Sequence, residues 1–127
     1  MKPKQILIVD DDYAVRATIE LSLQVTTDWV IWTASSGKEG LSMAKTKQPD
    51  LILLDMMMPA LNGIEVLHQL RTTMTTQEIP VIFLTAKALT IEQQELKNLD
   101  IQGVISKPFD ALGLGEQICS LLNWQNE

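Results

Sequence analysis

In this 127-residue chain, carboxylates, a hydroxyl and an ammonium each follow a short apolar run. Asp10-Asp11-Asp12 closes Ile6–Val9, Asp55 closes Leu51–Leu54, Thr85-Ala86 closes Val81–Leu84, and Ser106-Lys107-Pro108 closes Val104–Ile105. A lone ionised carboxylate at the edge of an apolar core costs several kcal/mol unless something pairs with it. Asp55, set behind four aliphatics, therefore calls for a partner. Gathered aspartates repel one another and raise the pKa of some members unless a cation is present. Lys107 brings one positive charge; Mg²⁺, which takes carboxylate, carbonyl and water oxygens, would bring more. A carboxylate nucleophile, a divalent metal, a lysine and a hydroxyl suit phosphoryl transfer, which needs charge neutralisation and alignment more than acid–base catalysis. No Gly-rich phosphate loop is present to cradle a nucleotide. His68 and Cys119 are each the sole residue of their type, which excludes cysteine–histidine metal sites and an internal disulfide. His68 is expected on the surface of a helix, and Cys119 as a small buried residue on the last one.

The elements that must carry these residues can be read from periodicity. Besides the four apolar runs, Trp29–Ala34 forms a fifth, less uniform one. Between the runs, apolar residues recur at helical spacing: Val15, Ile19 and Leu23; Leu41 and Ala44; Val66, Leu67, Leu70 and Met74; Leu89, Leu96 and Leu99; Ile118, Leu121 and Leu122. Ser36-Gly37-Lys38-Glu39 reads as a capping box, and Asn62-Gly63 precedes the third stripe. Gln48-Pro49-Asp50 and Glu78-Ile79-Pro80 are expected to stop helices and introduce strands. Asp12 is read as starting the first helix, where a negative charge is favoured. Strand–helix repeated five times implies a parallel sheet covered on both faces, and right-handed crossovers make it doubly wound, with ligands at the carboxyl ends of the strands. One α/β domain is expected over residues 1–127, with a core of about 5–123 and five helices on two faces.

Composition narrows the function classes. Sixteen acidic against ten basic residues give a net charge of −6, which argues against a nucleic-acid surface. Trp29, Trp32 and Trp124 read as packing or rim residues, since an aromatic platform would need basic neighbours. No apolar run approaches a membrane span, the start carries no signal-peptide pattern, and a single cysteine fits a cytoplasmic setting.

With these motifs in place, "ILIVDD", "LILLDMMMPALNG", "IPVIFLTAKA" and "ISKPF" together resemble the receiver domain of bacterial two-component response regulators, from Ile6 to about Leu122. The resemblance implies a flavodoxin-like five-stranded sheet of order 2-1-3-4-5. It implies a phosphoprotein whose Asp55 takes a phosphoryl group from a histidine kinase or phosphotransfer protein. Asp11, Asp55 and the backbone carbonyl of Met57 would ligate Mg²⁺, with Asp10 acting through water. Lys107 would hold a phosphoryl oxygen, Thr85 and the Ala86 N–H would donate to it, and Lys107–Pro108 would be a cis peptide. The domain would be a signalling protein and not a turnover enzyme. Its phosphorylation would switch a surface made by the fourth helix, fifth strand and fifth helix for an unknown protein target, with a weak homodimer through that face left open.

Rival readings have specific objections. An aspartate-dependent phosphatase usually carries a second aspartate two residues after its nucleophile, where this chain has Met57. A flavodoxin-like cofactor binder would need a hydroxyl- and glycine-rich loop after the first strand, where Asp10-Asp11-Asp12 would repel a phosphate. A receiver fold that has lost its chemistry would have lost some of the acidic, hydroxyl or lysine positions, and all are filled. One departure stands out: many receivers place Tyr or Phe three residues before the lysine, and this chain has Val104. Because valine is short and stiff, the surface change is expected in the loop after Thr85, at Lys87 and Ala88, rather than around the fifth strand. No output domain follows the last helix in this sequence, which fits either a stand-alone receiver or part of a longer protein.

Overall fold

The computed structural model describes residues 2–86 and 98–124. Five parallel strands, β1 (Gln5–Val9), β2 (Val30–Ala34), β3 (Leu51–Asp55), β4 (Val81–Thr85) and β5 (Gly103–Ser106), form one sheet of order β2-β1-β3-β4-β5. Among the described residues there are four helices: α1 (Tyr13–Thr26), α2 (Gly37–Lys47), α3 (Gly63–Arg71) and α4 (Leu114–Leu122). The helix expected around Leu89 and Leu96 falls outside the described residues; Leu99, the last member of that stripe, lies half-buried in a turn. None of the described helices is long and apolar enough to cross a membrane.

Strand alternation sorts the side chains into two layers. Leu7, Val9, Ile52, Leu54, Val81 and Phe83 pack with α2 and α3 residues Ala44, Val66, Leu67 and Leu70. Ile6, Ile8, Leu51, Leu53, Ile82, Leu84 and Ile105 pack with Ile19 and Leu23 of α1 and Leu114 and Ile118 of α4. Central strands β3 and β4 are buried at every position, so each of their aliphatic side chains contributes about 1.5–3 kcal/mol of burial. Edge strand β2 is only partly covered, which explains why its run is the least uniform.

The helix ends depart from expectation in instructive ways. The Ser36 hydroxyl accepts from Glu39 N–H at 3.1 Å, but the Glu39 carboxylate reaches back to Ser35 N–H, at 2.6 Å, so the reciprocal bond is displaced by one residue. The complete capping box is on α3, where Asn62 and Glu65 exchange bonds of 3.0 and 3.1 Å. Glu78-Ile79-Pro80 introduces β4 but does not stop α3, which ends at Arg71. The run Thr72-Thr73-Met74-Thr75-Thr76 stops it. Hydroxyls of Thr72, Thr73 and Thr76 donate to the last carbonyls of the helix, those of His68, Gln69 and Leu70, offering the backbone partners that a further turn would have provided. Met74 is consequently no member of the core stripe and is 81% exposed. Arg71 braces the resulting loop by donating to the carbonyls of Gln77, Ile79 and Asp100.

Trp124, remote in sequence from Trp29 and Trp32, is brought against one of them. Trp29 and Trp124 meet edge to face at 5.6 Å, with Lys4 over Trp124 and Lys47 over Trp32. All three rings are half-buried against the core, and the lysines cover ring faces rather than leaving them open for bases.

Candidate functional site

The alternation that builds the core also aims the site. Asp10 continues the side of β1 that carries Ile6 and Ile8, Asp55 the side of Leu51 and Leu53, and Lys107 the side of Ile105; all are on the α1/α4 face of the sheet. They therefore meet above the carboxyl edge. Lys107 Nζ lies 2.9 Å from Asp10 Oδ2 and 3.5 Å from Asp55 Oδ1. Carboxylate oxygens of Asp10, Asp11 and Asp55 all lie within 4.8 Å of one another. Thr85 is buried at the end of β4, and Lys107 N–H donates to its carbonyl at 2.7 Å, tying the ends of β4 and β5 together. By alternation Thr85 shares the other face with Phe83 and Val104, the latter half-buried against the α2/α3 core. Ala86 is exposed beside it, and the Lys107–Pro108 peptide is cis.

The electrostatics follow from burial. Asp10 is fully buried and Asp55 is 4% exposed. Burial first, and then the charge of Asp10, push the Asp55 carboxyl from an ordinary 3.8 up to about 6; the Met57 N–H bond to Asp55 Oδ1 and the Lys107 charge pull it back, and Asp11 adds to the rise. For Lys107, burial alone would lower the pKa; its hydrogen bond to Asp10 and the charges of Asp10 and Asp55 outweigh it, and the ammonium is held above its ordinary value. One ammonium thus serves two buried carboxylates, with a third, exposed carboxylate beside them. That surplus of negative charge on hard oxygen donors fits a small divalent cation. Met57 is the exposed member of its trio, at 71%, while Met56 and Met58 are buried.

Asp12 stands apart from the cluster. Its Oδ1 accepts from Ala14 N–H at 2.9 Å and Val15 N–H at 3.4 Å, capping α1. Asp12→Ala is expected to cost about 1 kcal/mol of stability and to leave Mg²⁺ affinity almost unchanged, whereas Asp11→Ala should weaken Mg²⁺ at least tenfold. Calorimetric titration of both variants checks this, and equal losses would remove Asp11 from the ligand set. His68 is exposed on α3 and Cys119 buried on α4, both as expected. Two residues not anticipated are Arg16, whose Nη1 donates to the Asp10 carbonyl at 2.7 Å, and Met57 as a backbone donor to Asp55.

Fold and site together define a class: small doubly wound α/β domains with a carboxylate-rich cleft over the carboxyl edge of the sheet. Within that class the chain belongs to the response regulator receiver domain family, whose model matches residues 6–118. It is 34% identical over 119 residues to the alkaline phosphatase synthesis transcriptional regulatory protein PhoP of Bacillus subtilis, covering 94% of this chain and 48% of that protein. It is 36% identical to the response regulator MprA of Mycolicibacterium vanbaalenii, covering 84% of this chain and 45% of that one. The chain therefore spans about half the length of these curated relatives. Among solved structures, the chemotaxis protein CheY4 of Vibrio cholerae superposes with a TM-score of 0.87 at 27% identity, covering 94% of this chain and 99% of that one. The N-terminal domain of a response regulator receiver protein from Methanoculleus marisnigri gives 0.78 at 36% identity, covering 95% and 98%.

Proposed function

We propose that this domain accepts a phosphoryl group on Asp55 from a phosphohistidine on a partner kinase or phosphotransfer protein, and that the resulting charge alters a protein-binding surface. The observation that carries the reading is the convergence of Asp55 with Asp10, Asp11 and Lys107 at one edge of the sheet. An Asp55 carboxylate oxygen attacks phosphorus, and the bond from phosphorus to the donor nitrogen breaks with its electron pair returning to the imidazole. Lys107 holds a phosphoryl oxygen as a point charge, while the Thr85 hydroxyl and Ala86 N–H donate to the same group. Asp11, Asp55 and the Met57 carbonyl would hold Mg²⁺, with Asp10 reaching it through water, and the ion supplies positive charge where phosphoryl charge accumulates. An apolar groove of about 500 Å³, lined by Ala14, Val15, Ala86, Pro108 and Phe109 among others, borders Lys107 and leaves room for a protein donor.

The same chemistry sets the expected output. Phosphorylation adds roughly −1.5 to −2 charges, drawing Lys107 and the Thr85 hydroxyl toward them. Val104 fills and exposes little as Thr85 moves, so the response passes through the loop after Thr85, at Lys87 and Ala88. Lys87 and Ala88 lie outside the described residues.

Incubation with acetyl phosphate and Mg²⁺ tests the reading by mass spectrometry: one phosphoryl group is expected, lost on chelation of the metal. Mg²⁺ should also raise the melting temperature by mass action, because it relieves repulsion that only the folded cluster has. A chain that takes up no phosphoryl group and whose melt ignores Mg²⁺ would be a silent receiver fold.

A further inference from the structure

Arg16 lies in the second turn of α1, and its guanidinium serves the acidic loop rather than the helix. Nη1 donates to the Asp10 carbonyl at 2.7 Å, and the Tyr13 ring lies 5.6 Å from the guanidinium carbon. The Asp10 N–H is itself held by the Ala34 carbonyl at 3.1 Å. Both backbone groups of Asp10 are therefore fixed at the point where strand pairing ends. The carbonyl of Asp10, the N–H of Asp11 and the Asp11 Cα belong to one rigid plane, so clamping that carbonyl fixes the point from which the Asp11 side chain departs.

Asp11 needs such help more than its neighbours do. The Asp10 carboxylate is held by Asp12 N–H at 2.8 Å and by Lys107, and Asp55 accepts from Met57 N–H. The Asp11 side chain is exposed, and no hydrogen bond among the described residues holds it, yet its carboxylate stands within the 4.8 Å cluster. We infer that Arg16 is a positioning residue of the metal site, aiming the Asp11 carboxylate at Asp55 by clamping the Asp10 carbonyl. The inference rests on the reading of the site as a Mg²⁺ site and adds a residue to it.

The sign of the effect separates this role from a simple charge effect. As a nearby cation, Arg16 repels Mg²⁺, and its removal would tighten binding. As a positioner, its removal weakens binding, and the loss of partners behind metal ligands typically costs 10–100-fold in affinity. Mg²⁺ titrated calorimetrically into wild type, Arg16→Ala, Arg16→Met and Arg16→Lys decides between them. The dissociation constant should rise about tenfold in Arg16→Ala and Arg16→Met, and Arg16→Lys, which keeps a cationic donor, should recover most of the loss. Circular dichroism without metal confirms that each titrated variant is folded, and if Arg16→Ala is not, Arg16→Met keeps the apolar stem and carries the same expectation. A purely structural role would lower the melting temperature without moving the dissociation constant of folded protein, and that result, or tighter binding, overturns the inference. If the wild type itself binds no Mg²⁺, the reading of the site falls and the inference with it.

Discussion

Asp55→Asn is expected to abolish phosphoryl uptake and, near neutral pH, to make the protein more stable than the wild type. The first effect follows from losing the nucleophile: an amide oxygen forms no acyl phosphate, and equal labelling of the variant would sink the assignment of Asp55. The second follows from the pKa. The Asp55 carboxyl sits at about 6 in the fold against an ordinary 3.8. Between those values the folded protein holds a proton that the unfolded chain has already released, so stability falls as pH rises through that window. Above about 6 the whole penalty of a charged Asp55 is present. Asparagine removes that charge while its amide oxygen can still accept from Met57 N–H, and Lys107 keeps its 2.9 Å bond to Asp10. One pKa unit corresponds to about 1.4 kcal/mol; discounted for solvent screening in an open cleft, the gain is on the order of 1–2 kcal/mol. Thermal melts without metal should show the variant ahead near neutral pH and level with the wild type below pH about 4, under the ordinary carboxylate value of 3.8. A variant that melts below the wild type at neutral pH would show that Asp55 is stabilised, not strained, by its neighbours.

The strands and the gathering of the charged residues at one edge of the sheet were legible because they rest on local patterns. Short apolar runs that end in Asp, Thr or Ser-Lys declare both a buried strand and the group it delivers, and period-two alternation sends Asp10, Asp55 and Lys107 to one face. What was not legible depends on backbone carbonyls and on residues distant in sequence. Arg16 and Arg71 carry no apolar or acidic pattern, and their roles appear only once the carbonyls of Asp10, Gln77, Ile79 and Asp100 are placed in space. Met74 followed the third stripe by spacing but lies beyond the point where threonine hydroxyls take the helix carbonyls. Ser36 and Asn62 show the limit of motif reading at helix starts: the Ser-x-x-Glu pattern closes on Ser35 N–H, while the Asn-x-x-Glu pattern closes fully.

Gly63→Ala should be among the most damaging single substitutions outside the charged cluster. Gly63 opens α3, and its N–H donates to the Met56 carbonyl at 3.0 Å, so the helix start is drawn against the segment that follows Asp55. Its φ is not positive; the requirement for glycine is one of approach. A Cβ there would stand 2.5 Å from the Asp55 carbonyl oxygen, 2.8 Å from Met56 Cα and 3.0 Å from the ring of Phe83. Two of those obstacles are backbone, and Phe83 is fully buried, so nothing can swing aside. Either α3 retreats and gives up the Met56 bond, or the Asp55–Met57 segment shifts and takes the Asp55 carboxylate and the Met57 carbonyl with it. Overpacking of this kind costs about 3 kcal/mol when neighbours cannot yield. Gly113→Ala is the contrast: its Cβ would meet only the end of the Asp110 side chain, at 2.8 Å, which can rotate away, and the cost should stay under about 1 kcal/mol. Denaturant unfolding of the two variants measures the difference, and acetyl phosphate labelling of the folded fraction shows whether the acceptor has moved. Equal stabilities would mean that α3 has room to withdraw from β3, and unchanged labelling in Gly63→Ala would mean that the position of α3 does not govern the reactivity proposed for Asp55.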